Sequence, residues 1–473
     1  MKLFNWFKKK TRANFPTPES LAAGVLRSVR GSERAHDHFA GGNVDIPNSL
    51  LVTEAERARL RSWCKKEYLD NALARNLARN FALGVYGTGP ELQILAEDPI
   101  SAKCESLWKQ WRKSVELDWK IHIALESLFY DGEAFFHLHE DPKIPGSLNV
   151  ELIEARRIQE PYGGSWLENQ LEGIGYNQYG NPVWYHALKE SIDPNHGHAM
   201  EYDILPADTV CHLYFEDVVN QRRGLPLLQS ALGMLASLQR ITDASLNAWE
   251  LAAKMNLVIQ TGMDAADFIQ CVPRNYDADE GQTKVEAFKT IPVPEGGGMT
   301  FLATGMSMNQ VRNEHPNSQF GEHVHTFQKI AGLAGGLPEN LSTGSSANYN
   351  FSSAQLDYQL FARFGGTAQK KIEAILNRIL FAALCSLEDH APEVSALLDQ
   401  FPTPESLPAE WFFPNMLHSI DRSQNAASDV QLLQAGLLTH REYCKRYGID
   451  YEAHMRDWRE ERKEQSTQTS KSF

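Results

Sequence analysis

The segment Leu225–Gln260 constrains the fold most, because it runs for about 36 residues with no proline after Pro226 and with a single glycine, Gly233. Proline is tolerated in the first turn of a helix, where its missing N–H would have no partner. At 1.5 Å per residue the segment predicts one helix about 54 Å long. Its apolar stripe contains Leu228, Ala231, Leu235 and Leu238 and continues less apolarly through Ser245, Trp249 and Ala252. Such a helix typically packs against copies of itself or bridges two domains.

The residues before this helix change their hydrophobic period once, from helical to alternating. Three-to-four spacing predicts helices over Leu51–Val85, Ser101–Val115 and Leu117–Tyr130. We expect Trp108, Trp111 and Trp119 to anchor the core. Short β-branched or aromatic runs then predict strands at Glu133–His139, Asn149–Ala155, Gly173–Asn177, Val183–Leu188 and Thr209–Phe215. Helices followed by strands predict an α+β domain.

The residues after the long helix alternate between loops and helices. Residues 261–318 indicate a small insertion with a strand pair around Ile291–Pro294 and Met299–Leu302. Helices are predicted over Gln319–Gly332 and Ser352–Ser386, and two more over residues 423–464 around Ala435–Gly436. Between the first two helices, the polar run Glu339–Phe351 has no apolar period, which is typical of a solvated loop or of a loop with a function.

The charge balance excludes some classes of protein. Lys and Arg number 46 and Asp and Glu 60, so the formal net charge is −14, which argues against tight wrapping of nucleic acid. Six scattered cysteines favour a reducing compartment. The longest apolar stretches, such as Ile379–Cys385, are far shorter than the roughly 18 residues that a membrane helix needs.

Positive charge is concentrated near the start of the chain. Residues 1–12 contain five basic residues and no acidic one, which predicts a loosely ordered arm. Between Arg57 and Arg79 there are seven basic residues and two acidic ones. This second group is either a solvated helix face or a patch for a partner.

No motif indicates catalysis strongly. There is no P-loop sequence, and three His-x-His pairs are the best metal candidates. On a strand, His137 and His139 would face the same way and could chelate an ion. His323 and His325 lie in a predicted helix, where side chains two apart diverge by about 200°, and His196/His198 lies in a predicted loop. Asp131 and Glu133, at the entrance to a strand, are either a turn cap or an acid–base couple. We predict no cofactor.

Several segments occur in a suggestive order. They are DNALARNLARNFALGVYGTG (70–89), DGEAFF (131–136), VELIEARRIQEP (150–161), GIGYNQYGNPVWYH (173–186), LPADTVCHLYFEDVVNQRRGLPLL (205–228), IAGLAGGLPENLS (330–342) and ANYNFSSAQ (347–355). In the fifth and most specific segment, Gln221, Arg223, Gly224 and Pro226 stand where a strand runs into the long helix. The order resembles the portal proteins of lambda-type tailed bacteriophages over roughly residues 50–460.

The resemblance implies a portal fold in a ring of about twelve identical subunits at one capsid vertex. It divides the chain into an N-terminal arm (1–50), a wing (51–224), a stem helix (225–260), a clip (261–318), a second stem helix (319–336), a tunnel loop (337–351), a long helix returning to the wing (352–420) and a crown (421–473). The implied function is not enzymatic: the ring conducts double-stranded DNA during packaging and ejection. The implied partners are the terminase large subunit, which hydrolyses ATP, major capsid and scaffold proteins, and head–tail connector proteins. No membrane is involved. The ring would assemble in the bacterial cytoplasm and stay in the virion.

The tunnel loop is where the resemblance places contact with DNA. Its short polar side chains, together with one tyrosine, can touch a phosphate backbone without a strong charge-driven grip. These candidates are Asn340, Ser342, Thr343, Ser345, Ser346, Asn348 and Tyr349. Lys and Arg are absent from Pro338 to Ala362. The insertion of Asn350 and Phe351 before the serine pair departs from the family pattern. Two alternatives stay open: a soluble metal-dependent hydrolase using a His-x-His pair, and a ring-forming scaffold or adaptor that conducts no DNA.

Overall fold

A computed structural model of the chain describes residues 52–161, 170–189, 201–254, 258–260, 290–293, 297–302, 320–347, 350–388, 391–414, 422–447, 449, 451, 454–460 and 462. The predicted arm at residues 1–50 lies outside this part of the chain. Two compact units are present. Unit 1 comprises Met1–Gly233 and Lys329–Phe473, and unit 2 comprises Met234–Gln328. Among the described residues, no helix is both long and apolar enough to cross a membrane.

Unit 1 begins with four helices: α1 (Glu54–Asp70), α2 (Ala72–Tyr86), α3 (Asp98–Ser114) and α4 (Leu117–Tyr130). The prediction of one helix over Leu51–Val85 was wrong, because the chain becomes extended at Asn71, with φ −108° and ψ 115°. The Asn71 side chain accepts a hydrogen bond from the Leu73 N–H at 2.9 Å and so caps α2. α1 has its own capping box, built from Thr53 and Glu56.

The strands of unit 1 form three antiparallel sheets. β2 (Glu133–Glu140) lies between β3 (Leu148–Ile153) and β8 (Val210–Tyr214). β4 (Gln170–Leu171), β5 (Ile174–Tyr176), β6 (Pro182–Leu188) and β7 (Tyr202–Pro206) pair in sequence order. β1 (Glu91–Ile94) pairs with β12 (Ala409–Phe412). All five predicted strands are confirmed, whereas β1, β4, β7 and β12 were not predicted.

The remaining elements of the chain are α5 (Leu232–Lys254), β9 (Val258–Gln260), β10 (Thr290–Val293), β11 (Gly297–Leu302), α6 (Phe320–Gly332), α7 (Glu339–Thr343), α8 (Phe351–Leu387), α9 (Pro392–Gln400), α10 (Arg422–Gln434) and α11 (His440–Tyr447). In unit 2, β10 and β11 form the predicted antiparallel pair, and the Trp249 and Phe320 rings lie 5.8 Å apart. The tail contains the two predicted helices.

The long helix is shorter than predicted. Its first part, Leu227–Ser230, is a 3-10 turn, and α5 has 23 residues, about 35 Å of helix. The chain then forms β9, which pairs in parallel with β11. The stretch up to Gln260 lacked proline and glycine, but strand pairing with a distant segment overrode its helical pattern.

The core of unit 1 is built around α2. The Phe81 ring lies 5.2 Å from the Phe129 ring of α4 and 6.0 Å from the Phe364 ring of α8, so α2 packs between these two helices. Trp108 and Trp111 are buried and stacked, as predicted. Trp119 is 63% exposed, and the prediction that it anchors the core was wrong. Trp63 and Leu69, two apolar residues of the predicted helix Leu51–Val85, are exposed as well.

The 37-residue helix α8 begins with a side-chain cap at a position that departs from the family pattern. Asn350 accepts a hydrogen bond from the Ser353 N–H at 2.8 Å. Asn350→Ala should destabilise the first turn by about 1 kcal/mol, since the Ser353 N–H loses its acceptor. Amide hydrogen exchange at residues 351–354 should accelerate roughly fivefold, while Asn350→Asp, which keeps the acceptor, should exchange like the wild type. Equal rates in all three proteins would contradict the cap.

Candidate functional site

A buried carboxylate lies where the chain leaves the sheet for the long helix. Glu133, at the start of β2, is fully buried. Arg223 donates to it from Nε at 2.8 Å and from Nη2 at 2.6 Å, and the Gly224 N–H donates at 2.8 Å. Arg61 of α1 donates at 2.5 Å, and His212 Nε2 of β8 donates at 3.0 Å. One carboxylate thus joins α1, β2, β8 and the junction segment.

The Arg223 guanidinium also holds the neighbouring loops. It donates to the backbone carbonyls of Glu172 at 2.5 Å, Ile158 at 3.2 Å and Ala155 at 3.3 Å. The planar fork of an arginine can satisfy a carboxylate and several carbonyls at once, which the ammonium of lysine cannot do. A second buried arginine, Arg57, forms an ion pair with the Glu172 side chain. Arg223 therefore ties the four-stranded sheet to the three-stranded one.

The other junction residues predicted as family-motif positions lie around Arg223. The Gln221 side chain donates to the Arg223 carbonyl at 2.9 Å and accepts from the Asp217 N–H at 2.9 Å. Gly224 lies so close to Gly132 that a Cβ on Gly224 would be 2.0 Å from the Gly132 carbonyl oxygen. Gly132 itself has φ +83°, and a Cβ there would lie 2.5 Å from the Pro226 nitrogen. Two backbones pack directly on each other here, and only glycine leaves enough space.

Charges in this cluster shift the ionisation of its members. Burial disfavours the ionised form of Glu133, but Arg223 and Arg61 more than compensate and hold its pKa well below the usual range. Burial lowers the pKa of His212, against the attraction of Glu133. Burial raises the pKa of Asp131 to about 6, although Lys65 and Arg61 oppose the shift. Sequence reasoning treated Asp131 and Glu133 as a turn cap or an acid–base couple, yet the Glu133 side chain is fully buried and paired with Arg223 and Arg61.

The predicted basic patch is divided between interior and surface. Arg57 and Arg61 are turned inward onto Glu172 and Glu133. Lys65 lies 2.5 Å from Glu154 and 3.3 Å from Asp131. Arg59 and Lys66, from the same helix, are exposed. A surface patch for a partner therefore cannot include all seven basic residues between Arg57 and Arg79. Counting charges in the sequence did not show which cations of α1 point inward and which point outward.

The polar segment 337–351 is anchored to α2. Asn76 and Asn80, one turn apart, both donate to the Leu341 carbonyl, at 3.0 and 2.8 Å. This carbonyl lies in α7, the short helix Glu339–Thr343, where the sequence predicted an unstructured loop. Asn76 and Asn80, two asparagines of the segment 70–89, thus fix the backbone of α7. From the sequence they were recognised only as part of a motif.

The predicted tunnel-loop residues differ in burial and in hydrogen bonding. Ser342 is completely buried, its hydroxyl donates to the Pro338 carbonyl at 2.9 Å, and it fills the space that Gly332 leaves beside it. Asn340 donates to the Tyr358 hydroxyl at 2.9 Å, and Thr343 to the Glu339 carbonyl at 2.8 Å. Ser345 is half-buried and Ser346 exposed. Asn348 and Tyr349 lie outside the described residues.

Burial of Ser342 corrects one expectation. We predicted that this hydroxyl belongs to a polar surface, but it supports the turn from inside, because an i−4 hydrogen bond satisfies it within α7. Asn340, Thr343 and Ser345 are half-buried and Ser346 is exposed, so these four described side chains are left as the candidate surface of the segment.

The histidine pairs do not form a metal centre in the described part of the chain, where no group of three or more potential ligands occurs. His137 and His139 do lie together on β2, with ring centroids 5.7 Å apart. His137 Nδ1 lies 3.7 Å from a Glu151 carboxylate oxygen. His323 and His325 are in helix α6, as predicted. His196 and His198 lie outside the described residues.

Comparison with known proteins gives one family. The family model described as phage portal protein, lambda family, matches residues 46–365. This confirms the resemblance seen in the sequence and the α+β portal fold. No curated protein matches the chain.

Similar solved structures include three chains of gene transfer agent (GTA) particles. One, from the neck of an empty particle computed with C6 symmetry, is 14% identical over 82% of this chain and 93% of its own, with a TM-score of 0.43. Another, from the neck of a native particle computed with C12 symmetry, is 14% identical over 84% and 95%, with a TM-score of 0.40. A third, from the virion of the native particle, is 13% identical over 88% and 94%, with a TM-score of 0.39.

Arg223→Met should reduce the free energy of unfolding by roughly 3–5 kcal/mol, because it leaves a buried carboxylate short of its main partner. Arg223→Lys should lose less, since it keeps the charge but cannot reach the carbonyls of Ile158 and Glu172 as well. Urea unfolding of both variants, followed by tryptophan fluorescence, measures the difference. If Arg223→Met had the same urea midpoint as the wild type, the ion pair between Glu133 and Arg223 would be dispensable for stability.

His212 should make the fold sensitive to mild acid. Its folded pKa lies below the unfolded value of 6.5, so the unfolded chain takes up a proton first and stability falls as the pH drops below about 6.5. Asp131 acts in the opposite sense, because its folded pKa of about 6 exceeds the ordinary value of 3.8 and protonation there favours the folded state. Comparing His212→Gln with the wild type cancels the Asp131 contribution. In urea titrations, the variant should lose less stability than the wild type between pH 7 and pH 5. An equal loss in both proteins would contradict the role of His212 in this pH dependence.

Proposed function

Because this chain belongs to the lambda family of phage portal proteins, we propose that it forms a ring of about twelve copies at one capsid vertex and conducts double-stranded DNA during packaging and ejection. Family membership over residues 46–365 is the observation that carries the proposal. The work of the chain is then mechanical: it places a passive channel in the path of the DNA, and the ATP-driven motor is a separate protein.

The segment 337–351 is the proposed tunnel loop. Its base is fixed, because Asn76 and Asn80 clamp Leu341 while Lys329 pairs with Glu339 at 2.6 Å. Ser345 and Ser346 come directly after this fixed turn. A rigid base with short polar side chains beyond it can touch a moving phosphate backbone without holding it, since strong binding of DNA depends on neutralising phosphates with Lys and Arg. None of those residues occurs from Pro338 to Ala362.

The rest of the proposed organisation follows the family. α5 and α6 are proposed as stem helices, the β9–β11 region as the clip, and α10 and α11 as the crown. The proposed partners are the terminase large subunit, head–tail connector proteins and the major capsid and scaffold proteins, with assembly in the bacterial host cytoplasm and residence in the virion. No observation favours the hydrolase alternative, and the scaffold alternative differs only in whether DNA passes.

Ser345→Arg combined with Ser346→Arg should leave ring assembly intact and reduce DNA packaging by at least tenfold, because two cations per copy would grip the phosphates at every step. Ser345→Asn combined with Ser346→Asn, of similar polarity and without charge, should package nearly as well as the wild type. Nuclease-protected DNA in purified particles is the measurement, and electron microscopy of the rings is the control. Full packaging by the arginine variant would remove the loop from the mechanism, and rings that never enclose DNA would favour the scaffold alternative.

A further inference from the structure

Unit 1 carries two exposed apolar surfaces with different shapes. The first is a ridge on α8, formed by Leu356, Leu360 and Phe364 at intervals of four residues. Residues four apart lie on one face of a helix, so the three side chains form a single stripe. Leu356 and Leu360 are 58% and 54% exposed and Phe364 is 39% exposed, although it also packs on Phe81. We call this stripe the α8 ridge.

The second surface is a groove between α1, α4 and β3. It encloses about 320 Å³ and is lined largely by apolar side chains, among them Leu69, Ile123, Leu152 and Tyr130. Leu69 is 58% exposed, and Ile123, at the edge, is 38% exposed. Trp119 stands one turn before Ile123 on α4 and is also exposed. We call this surface the α1/α4 groove.

The ridge and the groove lie on different sides of the same core. α2 packs between α4 and α8, since the Phe81 ring contacts both Phe129 and Phe364. The two surfaces share no residue. A closed ring of identical copies needs such a pair, because each copy must present one surface to its neighbour on one side and a different, complementary surface to its neighbour on the other.

Both surfaces carry charged side chains of both signs. Lys65, at one end of the groove, pairs with Glu154 and Asp131 at 2.5 and 3.3 Å. On α8, Asp357 follows Leu356 and the exposed Arg363 precedes Phe364. Charged side chains therefore border the apolar parts of the ridge and of the groove.

We propose that the α8 ridge of one copy of this chain docks in the α1/α4 groove of the next copy, and that this contact closes the ring. The inference rests on the proposed ring function and assigns its interface. The occupant of the groove is a second copy of the chain, because a ring of identical copies needs two different surfaces on each chain and this chain itself carries an exposed apolar ridge. The alternative of a ridge–ridge contact would be self-complementary, so it would give pairs and no ring.

Mixing two variants tests the assignment. Leu360→Glu places a charge on the ridge and spares the groove, while Leu69→Glu places one in the groove and spares the ridge. Both residues are more than half exposed, so the substitutions should leave the fold intact, which circular dichroism checks. Each variant alone should lose ring formation and stay monomeric by native mass spectrometry. Their one-to-one mixture should give a species of two chains and stop there, since only one intact ridge–groove contact can form.

Ile204→Glu is the matched control, because Ile204 is a 66% exposed apolar residue on β7, on neither surface. It should form rings like the wild type. Three results would each overturn the interface while leaving the ring function standing. The first is ring formation by Leu69→Glu alone, and the second is loss of rings by Ile204→Glu. The third is the absence of a two-chain species in the mixture at concentrations well above those at which the wild type assembles. A wild-type chain that forms no ring under assembly conditions would overturn the proposed function and the interface together.

Discussion

The buried ion pair between Glu133 and Arg223 is the constraint on which the organisation of unit 1 depends. A carboxylate with no exposure is costly to bury unless it is fully paired and hydrogen-bonded. Here Arg223, Arg61, His212 and the Gly224 N–H supply those partners, and they come from three separate stretches of the chain. The segment that leads into the long helix can therefore take one position only. A hydrophobic contact of the same size would tolerate small shifts, whereas a forked guanidinium on a carboxylate and three carbonyls does not.

Hydrogen bonds from side chains also fix the backbone of the segment 337–351. The Asn76 and Asn80 amides hold one carbonyl, and Ser342 fills the space beside Gly332, so the chain reaches Ser345 from a defined direction. Asn350 then starts α8 on the other side of the two residues that lie outside the described part. A polar segment that looks unconstrained in sequence is thus held at both ends by amide side chains. Asn350, the departure from the family pattern, is itself one of these restraints.

Sequence reasoning predicted the elements that depend on local pattern and missed those that depend on distant pairing. The helices α3, α4, α6 and α8 and five strands were predicted because their periods are strong over many residues. β1 and β12 pair across more than 300 residues, and neither has enough length to show a period. The end of the long helix was wrong for a related reason, since β9 exists only through its pairing with β11. In the candidate site, Gln221, Arg223, Gly224 and Pro226 were named from the resemblance, but Glu133 was not recognised as the partner of Arg223 and Gly224, because nothing in a sequence shows which carboxylate an arginine 90 residues away will meet.

The distribution of positive charge bears on the proposed role of this acidic chain as a path for DNA. Arg57, Arg61 and Arg223 are buried or nearly so, and their charges are matched by carboxylates inside unit 1. Cations used in this way stabilise the fold and add almost no attraction for phosphate, because a compensated buried pair projects little field into solvent. The chain as a whole keeps an excess of acidic residues, 60 against 46, which gives its formal net charge of −14. A surface of that sign repels a polyanion. In a ring, repulsion from every copy would tend to centre the duplex in the channel, and the uncharged side chains of the segment 337–351 would be left to make brief contacts.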